Sequence, residues 1–269
     1  MRRSSGRLAL RGLAGLLALF LGRPVAVLIA RAALGDALGT GLSAAVVLDA
    51  LQLSLATTAA SLLLTVAIGL PIAVVLAHAR FRGSLLLETI VDLPIVLPPS
   101  VAGLALLLVF GRRGLLGPPL DTLGLEIPFT TAAVVLAQTF VSAPLFIRSA
   151  RTGIAGVEPD LEDAARADGA TELNVFRSIT MPLAAPVLAA GLVMSWARSL
   201  GEFGATIMFA GNVPGQTQTL PLLVYSEFQG ADLDRAIAVA AILITAAFGV
   251  LIAVRALHWR RALDLRGLG

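Results

Sequence analysis

The chain of 269 residues is 57% apolar with a mean hydropathy of +0.90, well above the ~45–50% apolar share of soluble domains, so it is an integral membrane protein. Cysteine is absent, which excludes disulfides, thiolate metal sites and cysteine nucleophiles. The net charge is +3 and all 20 basic residues are arginine; without lysine there is no Walker A loop, and this chain does not hydrolyse ATP by that route.

Six membrane spans are predicted in chain order. The first, residues 8–34, is interrupted by Arg11, Arg23, Pro24 and Arg31. A signal peptide is the competing reading there, but no clean cleavage site follows and the later spans already commit the chain to the membrane. The second, 51–77, is studded with serine and threonine and carries Pro71. The third, 85–110, holds Pro94, Pro98 and Pro99, which break the helix and free backbone groups that only a protein-lined cavity satisfies. A gate or bend beside a pathway and a simple kink both fit. The fourth is 127–147. The fifth, 183–210, encloses Arg198 and Glu202, and the sixth, 236–254, has no charge. This gives an N-terminal segment and first helix over 1–50, a transmembrane domain over 51–254 and a short tail over 255–269, too short for a regulatory domain.

Arginine placement sets the orientation. With the N-terminus cytosolic, fourteen arginines fall in cytosolic segments and five outside, with Arg198 inside the membrane. Both termini are then cytosolic, as is the polar stretch 158–182. The arginines lie at the ends of apolar segments, not in one patch, so no nucleic-acid partner is implied.

Residues 158–182 read as a short helix over 161–176 broken near Gly169, with Asp160 as cap and Glu162 and Asp163 at the positive end of the dipole. Ala164 and Ala165 offer a small-residue face, Gly169 permits a turn, and Pro182 opens the next helix where a missing N–H is tolerated. The order Asp163-Ala164-Ala165, Gly169, Ile179, Pro182 resembles the EAA loop of bacterial ABC importer permeases, the segment that docks on the ATPase. Asp163 stands for the usual glutamate and Met181 for the usual leucine. The resemblance implies an all-α, type I ABC permease fold with six helices, a separate ATPase subunit and an extracytoplasmic binding protein. One coupling segment per chain against two ATPases makes a homodimer the simplest assembly. No metal or other cofactor is implied on this subunit.

The text Ser195-Trp196-Ala197-Arg198-Ser199-Leu200-Gly201-Glu202-Phe203-Gly204-Ala205-Thr206 resembles molybdate importer permeases, as do residues 92–99, 102–105 and 217–221. The resemblance spans roughly 51–254 and implies import of molybdate or tungstate. Sulfate and thiosulfate permeases, the alternative, favour tyrosine with a further acidic or serine residue near 203–206. An ion-coupled secondary transporter and a membrane scaffold are rivals from other classes; neither accounts for the docking segment.

On a continuous helix Ser195, Arg198, Ser199, Glu202 and Thr206 fall within about a 100° arc. That polar stripe faces either the pathway or a helix–helix interface, because a charge inside the bilayer costs ~2.5–3.5 kcal/mol on insertion scales. Arg198 and Glu202 at i, i+4 are expected to pair structurally, with contact to a passing dianion as the other reading. Glu88 and Asp92 are expected to form interfacial ion pairs near Arg80 and Arg82. His78, His258, Trp196 and Trp259 take interfacial or packing roles. The outer loop 211–235, with Gln216, Thr217, Gln218, Thr219 and Glu227, is the expected contact for a binding protein.

Overall fold

The computed structural model describes the backbone of residues 2–34, 43–78 and 82–266, and side chains within 11–34, 43–78 and 82–252. Arg80 and the side chains of His258, Trp259 and the rest of the tail lie outside the described residues. The described chain is helical with no strand. In order the elements are α1 (Arg2–Leu34), α2 (Ala44–His78), α3 (Ser84–Val96), α4 (Pro99–Phe110), α5 (Gly117–Thr122), α6 (Thr131–Ala155), α7 (Pro159–Ala167) and α8 (Glu172–Val175). A π-helical turn (Phe176–Thr180) follows, then α9 (Met181–Leu200), α10 (Gly204–Ala210), α11 (Leu220–Gln229) and α12 (Leu233–Arg266). Among the described residues five helical stretches are long and apolar enough to cross a membrane; a sixth crossing comes from α3 and α4 if that bent pair is one span.

The third predicted span is two helices meeting at 118°. A residue before proline is driven out of the α region, and here two such residues are consecutive: Leu97 (ψ 133°) and Pro98 (ψ 136°) are both extended. Helix α3 therefore stops at Val96 and α4 restarts with Pro99 in its first turn, where the missing N–H costs nothing. The fifth predicted span is also interrupted. Helix α9 ends at Leu200, residues 201–203 are not helical, and α10 begins at Gly204. The fourth span runs past its predicted end, and α6 carries Arg148 and Arg151 in its last turns.

Helix α6 is the centre of the bundle. With α4 and α10 it encloses one apolar cluster, including Leu106, Val134, Val141 and Phe209. With α2 and α9 it encloses a second, including Leu76, Phe146, Ile154 and Leu188. A smaller third joins α2, α11 and α12 through Ala50, Leu220, Leu223 and Val239. Between the first two clusters the packing is polar. Ser195 Oγ donates to the Ser142 carbonyl (3.0 Å), Ser199 Oγ to Ser142 Oγ (2.9 Å), and Thr139 Oγ1 to Ser61 Oγ (3.2 Å). Ser61 and Ser199 hydroxyls lie 3.2 Å apart. Small hydroxylated residues let α2, α6 and α9 approach closely, and each such bond contributes on the order of 0.6 kcal/mol inside a membrane.

The two broken spans pack on each other at their breaks. A Cβ on Gly204 would lie 2.7 Å from Pro99 Cβ, and one on Gly103 would lie 2.5 Å from the Ala205 carbonyl oxygen. Glycine at both positions is a matter of space. Helix α3 is tied to α6 by a two-pronged Asp92–Arg148 pair (2.6 Å for both bonds) and by Glu88–Arg151 (2.9 Å). The expected ion pairing of these carboxylates is present, and the described partners come from the extension of α6.

Candidate functional site

Helix α7 starts on Pro159, with Glu158 in the cap position and no side chain closing it; Asp160 is the second helical residue and not the cap. Asp160 and Glu162 lie in its first turn, at the positive end of the helix dipole. The helix ends in a Schellman turn: Gly169 N–H donates to the Arg166 carbonyl (3.0 Å) and Ala170 N–H to the Ala165 carbonyl (3.0 Å). Gly169 has φ +88° and no heavy atom within 4 Å of where a Cβ would stand, so the requirement there is conformational. Gly169→Val is expected to cost about 1–3 kcal/mol of local order. Co-purification with an ATPase partner should then fall while membrane insertion, read by fractionation, stays normal.

Arg166 wires the segment together. Its guanidinium donates to both Glu172 oxygens (2.8 and 3.2 Å), to Asp163 (2.7 Å) and to Glu162 Oε2 (3.4 Å). Hydrogen bonding to Glu172 and Asp163 pushes the Arg166 pKa up, and the same bond with Arg166 holds Glu172 below the ordinary carboxylate range. The Glu172 tie is therefore fully present above its ordinary unfolded pKa and is lost as pH falls through the depressed folded value. Protection of residues 158–175 relative to the intrinsic exchange rate at each pH should stay constant from pH 8 to about 5 and fall only below the ordinary carboxylate pKa. A loss of protection between pH 8 and 6 would show that another group controls the segment.

Glu162 is buried, whereas Asp163, Ala164 and Gly169 are exposed and Ala165 and Ile179 are half-buried. Glu162 Oε1 accepts from Thr180 Oγ1 at 2.5 Å. Pro182 lies exposed in the first turn of α9, but the helix does not begin there: the chain is continuous from α8 through the π turn. Neither Thr180 nor His78, whose Nε2 lies 3.9 Å from Glu162 Oε2, belongs to the pattern read from sequence. Their link to Glu162 is tertiary.

The break at 201–203 interrupts the polar stripe expected along one helix. Ser195 and Ser199 are fully buried against α6, so within one subunit they face a helix–helix interface. Glu202, 1% exposed, turns back over the break: Oε1 accepts from Ala205 N–H (2.7 Å) at the start of α10. Its Oε2 meets Arg198 Nη1 at 2.5 Å, outside hydrogen-bond geometry. The pair thus spans a discontinuity and does not order a continuous helix. Arg198 keeps a third of its side chain exposed, and Pro98 and Pro99 are exposed, whereas Pro94 is buried. Thr206 is buried with no partner for its hydroxyl, as are Thr58 and Thr65 of α2. The buried hydroxyls of α2 (Ser54, Thr58, Ser61, Thr65) recur at helical spacing, a signal the serine and threonine content of that span already carried. In the loop 211–235 Gln216 is exposed, but Thr217, Gln218 and Thr219 are buried, and the first two serve the loop itself: Thr217 Oγ1 accepts from Val213 N–H and Gln218 bonds Ser226.

Residues 69–262, most of the chain, match the family described as the binding-protein-dependent transport system inner membrane component. The chain belongs to this family. The permease is 46% identical over 207 residues to the molybdenum transport system permease protein ModB of Mycobacterium tuberculosis, covering 77% of this chain and 78% of that protein. It is 34% identical over 220 residues to the probable sulfate transport system permease protein cysT of Anthoceros angustus, covering 81% and 76%. Its fold is similar to that of a bacterial ABC transporter involved in the import of the acidic polysaccharide alginate, with a TM-score of 0.77, 19% identity and 96% of each chain covered. The permease is a multi-pass inner membrane transport component and not an enzyme, with the helical fold of ABC importer permeases.

Proposed function

We propose that the permease forms, as a homodimer, the pathway by which molybdate or tungstate enters the cell. ATP hydrolysis takes place on a separate ATPase that docks on residues 158–182, and an extracytoplasmic oxyanion-binding protein delivers the substrate to the outer loops. Both termini are cytosolic. The observation that carries the substrate class is the 46% identity to a molybdenum permease against 34% to a sulfate permease, over similar lengths.

The chemistry agrees with a passing anion. Arg198 is paired with Glu202 at the break, so its charge does not form a deep anion well that would slow release of a passing dianion. Deleting the chain from its host should abolish uptake of trace labelled molybdate, with wild-type uptake competed by excess tungstate and little affected by excess sulfate. Competition by sulfate would move the permease to the sulfate class.

A further inference from the structure

Glu162 is 7% exposed, while the other five acids of residues 158–172 are exposed. A carboxylate is buried at such a place only where partners hold it, and its partners belong to three different elements. Thr180, 1% exposed, is the last residue of the π turn at the foot of α9. His78 is the last residue of α2. Arg166 belongs to α7 itself. Around these contacts a cleft of about 680 Å³, lined by Val74, His78, Arg166, Leu173 and Phe176 among others, separates the segment from α2.

The covalent route from α7 to α9 is soft in two places. It passes through Gly169, a single left-handed residue. It then passes through the π turn, in which Met181 N–H reaches back five residues to the Phe176 carbonyl. A π turn adds a residue to the helical circuit and is seldom stable without support. Its position has a local cause, since the ring of Pro182 would press on the carbonyl four residues earlier in a regular α-turn. A push on α7 transmitted only along the chain would be absorbed at these two joints. The Arg166–Glu172 tie bridges the first, but Glu172 is 78% exposed and salt weakens the pair. The buried Glu162–Thr180 bond bridges both.

We infer that Glu162 and Thr180 form a joint that makes docking helix α7 and membrane helix α9 move as one body, with His78 passing the displacement to α2. They are positioning residues that touch neither substrate nor nucleotide. The inference rests on the reading of the chain as an ATP-driven permease, but not on the identity of its substrate.

The test uses the assembled transporter in lipid vesicles. The chain has no cysteine, so Asp160→Cys on α7 and Ala190→Cys on α9 take a spin-label pair, with this subunit labelled before assembly and diluted with unlabelled subunit so that one pair per transporter is read. The label distance should stay narrow and unchanged on ATP binding in the otherwise unsubstituted chain and with Thr180→Ser, which keeps the donor. With Thr180→Val or Glu162→Ala it should broaden or shift. The same two variants should continue to hydrolyse ATP while molybdate taken up per ATP falls at least about fivefold, the low end of measured site-to-site coupling. An unchanged distance in both variants would overturn the joint. So would parallel losses of hydrolysis and uptake that keep their ratio. The distance readout uses no substrate, so failure of the unsubstituted transporter to carry molybdate would overturn the substrate assignment alone.

Discussion

Glu202→Ala is expected to lower the yield of folded permease in detergent and to reduce its thermal midpoint by several degrees, a loss of about 3 kcal/mol. The carboxylate is 1% exposed and serves two ends at once, the guanidinium of Arg198 and the first turn of α10. Removing it leaves an intramembrane cation without its counter-charge and a helix start without its acceptor. Arg198→Ala should be nearly as costly, because Glu202 then stays buried without its counter-charge, with the Ala205 N–H as its remaining partner. Replacing both by methionine should recover most of the loss, since a buried ion pair exchanged for apolar packing is often neutral or better. Normal yield of Arg198→Ala with loss of uptake would instead make Arg198 a pathway residue.

Gly103→Val is the second substitution with a large expected effect. A Cβ at Gly103 meets the backbone of Ala205 (oxygen at 2.5 Å, Cα at 2.9 Å) and Met208 Cβ at 2.7 Å. These atoms have no side-chain freedom with which to move away, so α4 and α10 must separate. Overpacking of this kind costs about 1–3 kcal/mol or more, and it falls where the two helix breaks meet, so uptake should be lost even where the protein still inserts. Gly12→Val on α1, where nothing lies within 4 Å, should change the thermal midpoint little. Similar midpoints and uptake for the two variants would show that the apposition of the breaks has no role.

The sequence carries the parts of this molecule that depend on neighbours in the chain. Leu97-Pro98-Pro99 stops one helix and starts another by backbone sterics alone. The turn after α7 needs a left-handed residue and has Gly169. The apolar runs give the spans to within a few residues at most ends. What the sequence hides is set by contacts between distant residues. Nothing local announces that the fifth span breaks after Leu200, because hydropathy continues through Phe203 to Ala210; the break is held by Glu202 folding back and by Gly204 lying on Pro99. Glu162 and Asp163 are adjacent and alike in chemistry, and only the position of Thr180, 18 residues on, decides which is buried. The partners of Glu88 and Asp92 were hidden for a similar reason: Arg148 and Arg151 lie beyond the apolar run that marks the fourth span, on helix that continues to Ala155.

The most direct test of the account is oxyanion accumulation in proteoliposomes that hold the permease, its ATPase and its binding protein, with ATP and the proton gradient controlled separately. The account predicts accumulation of molybdate that requires ATP inside the compartment of the ATPase and persists when the gradient is collapsed. Accumulation driven by the gradient in the absence of ATP would contradict it and make the chain an ion-coupled transporter.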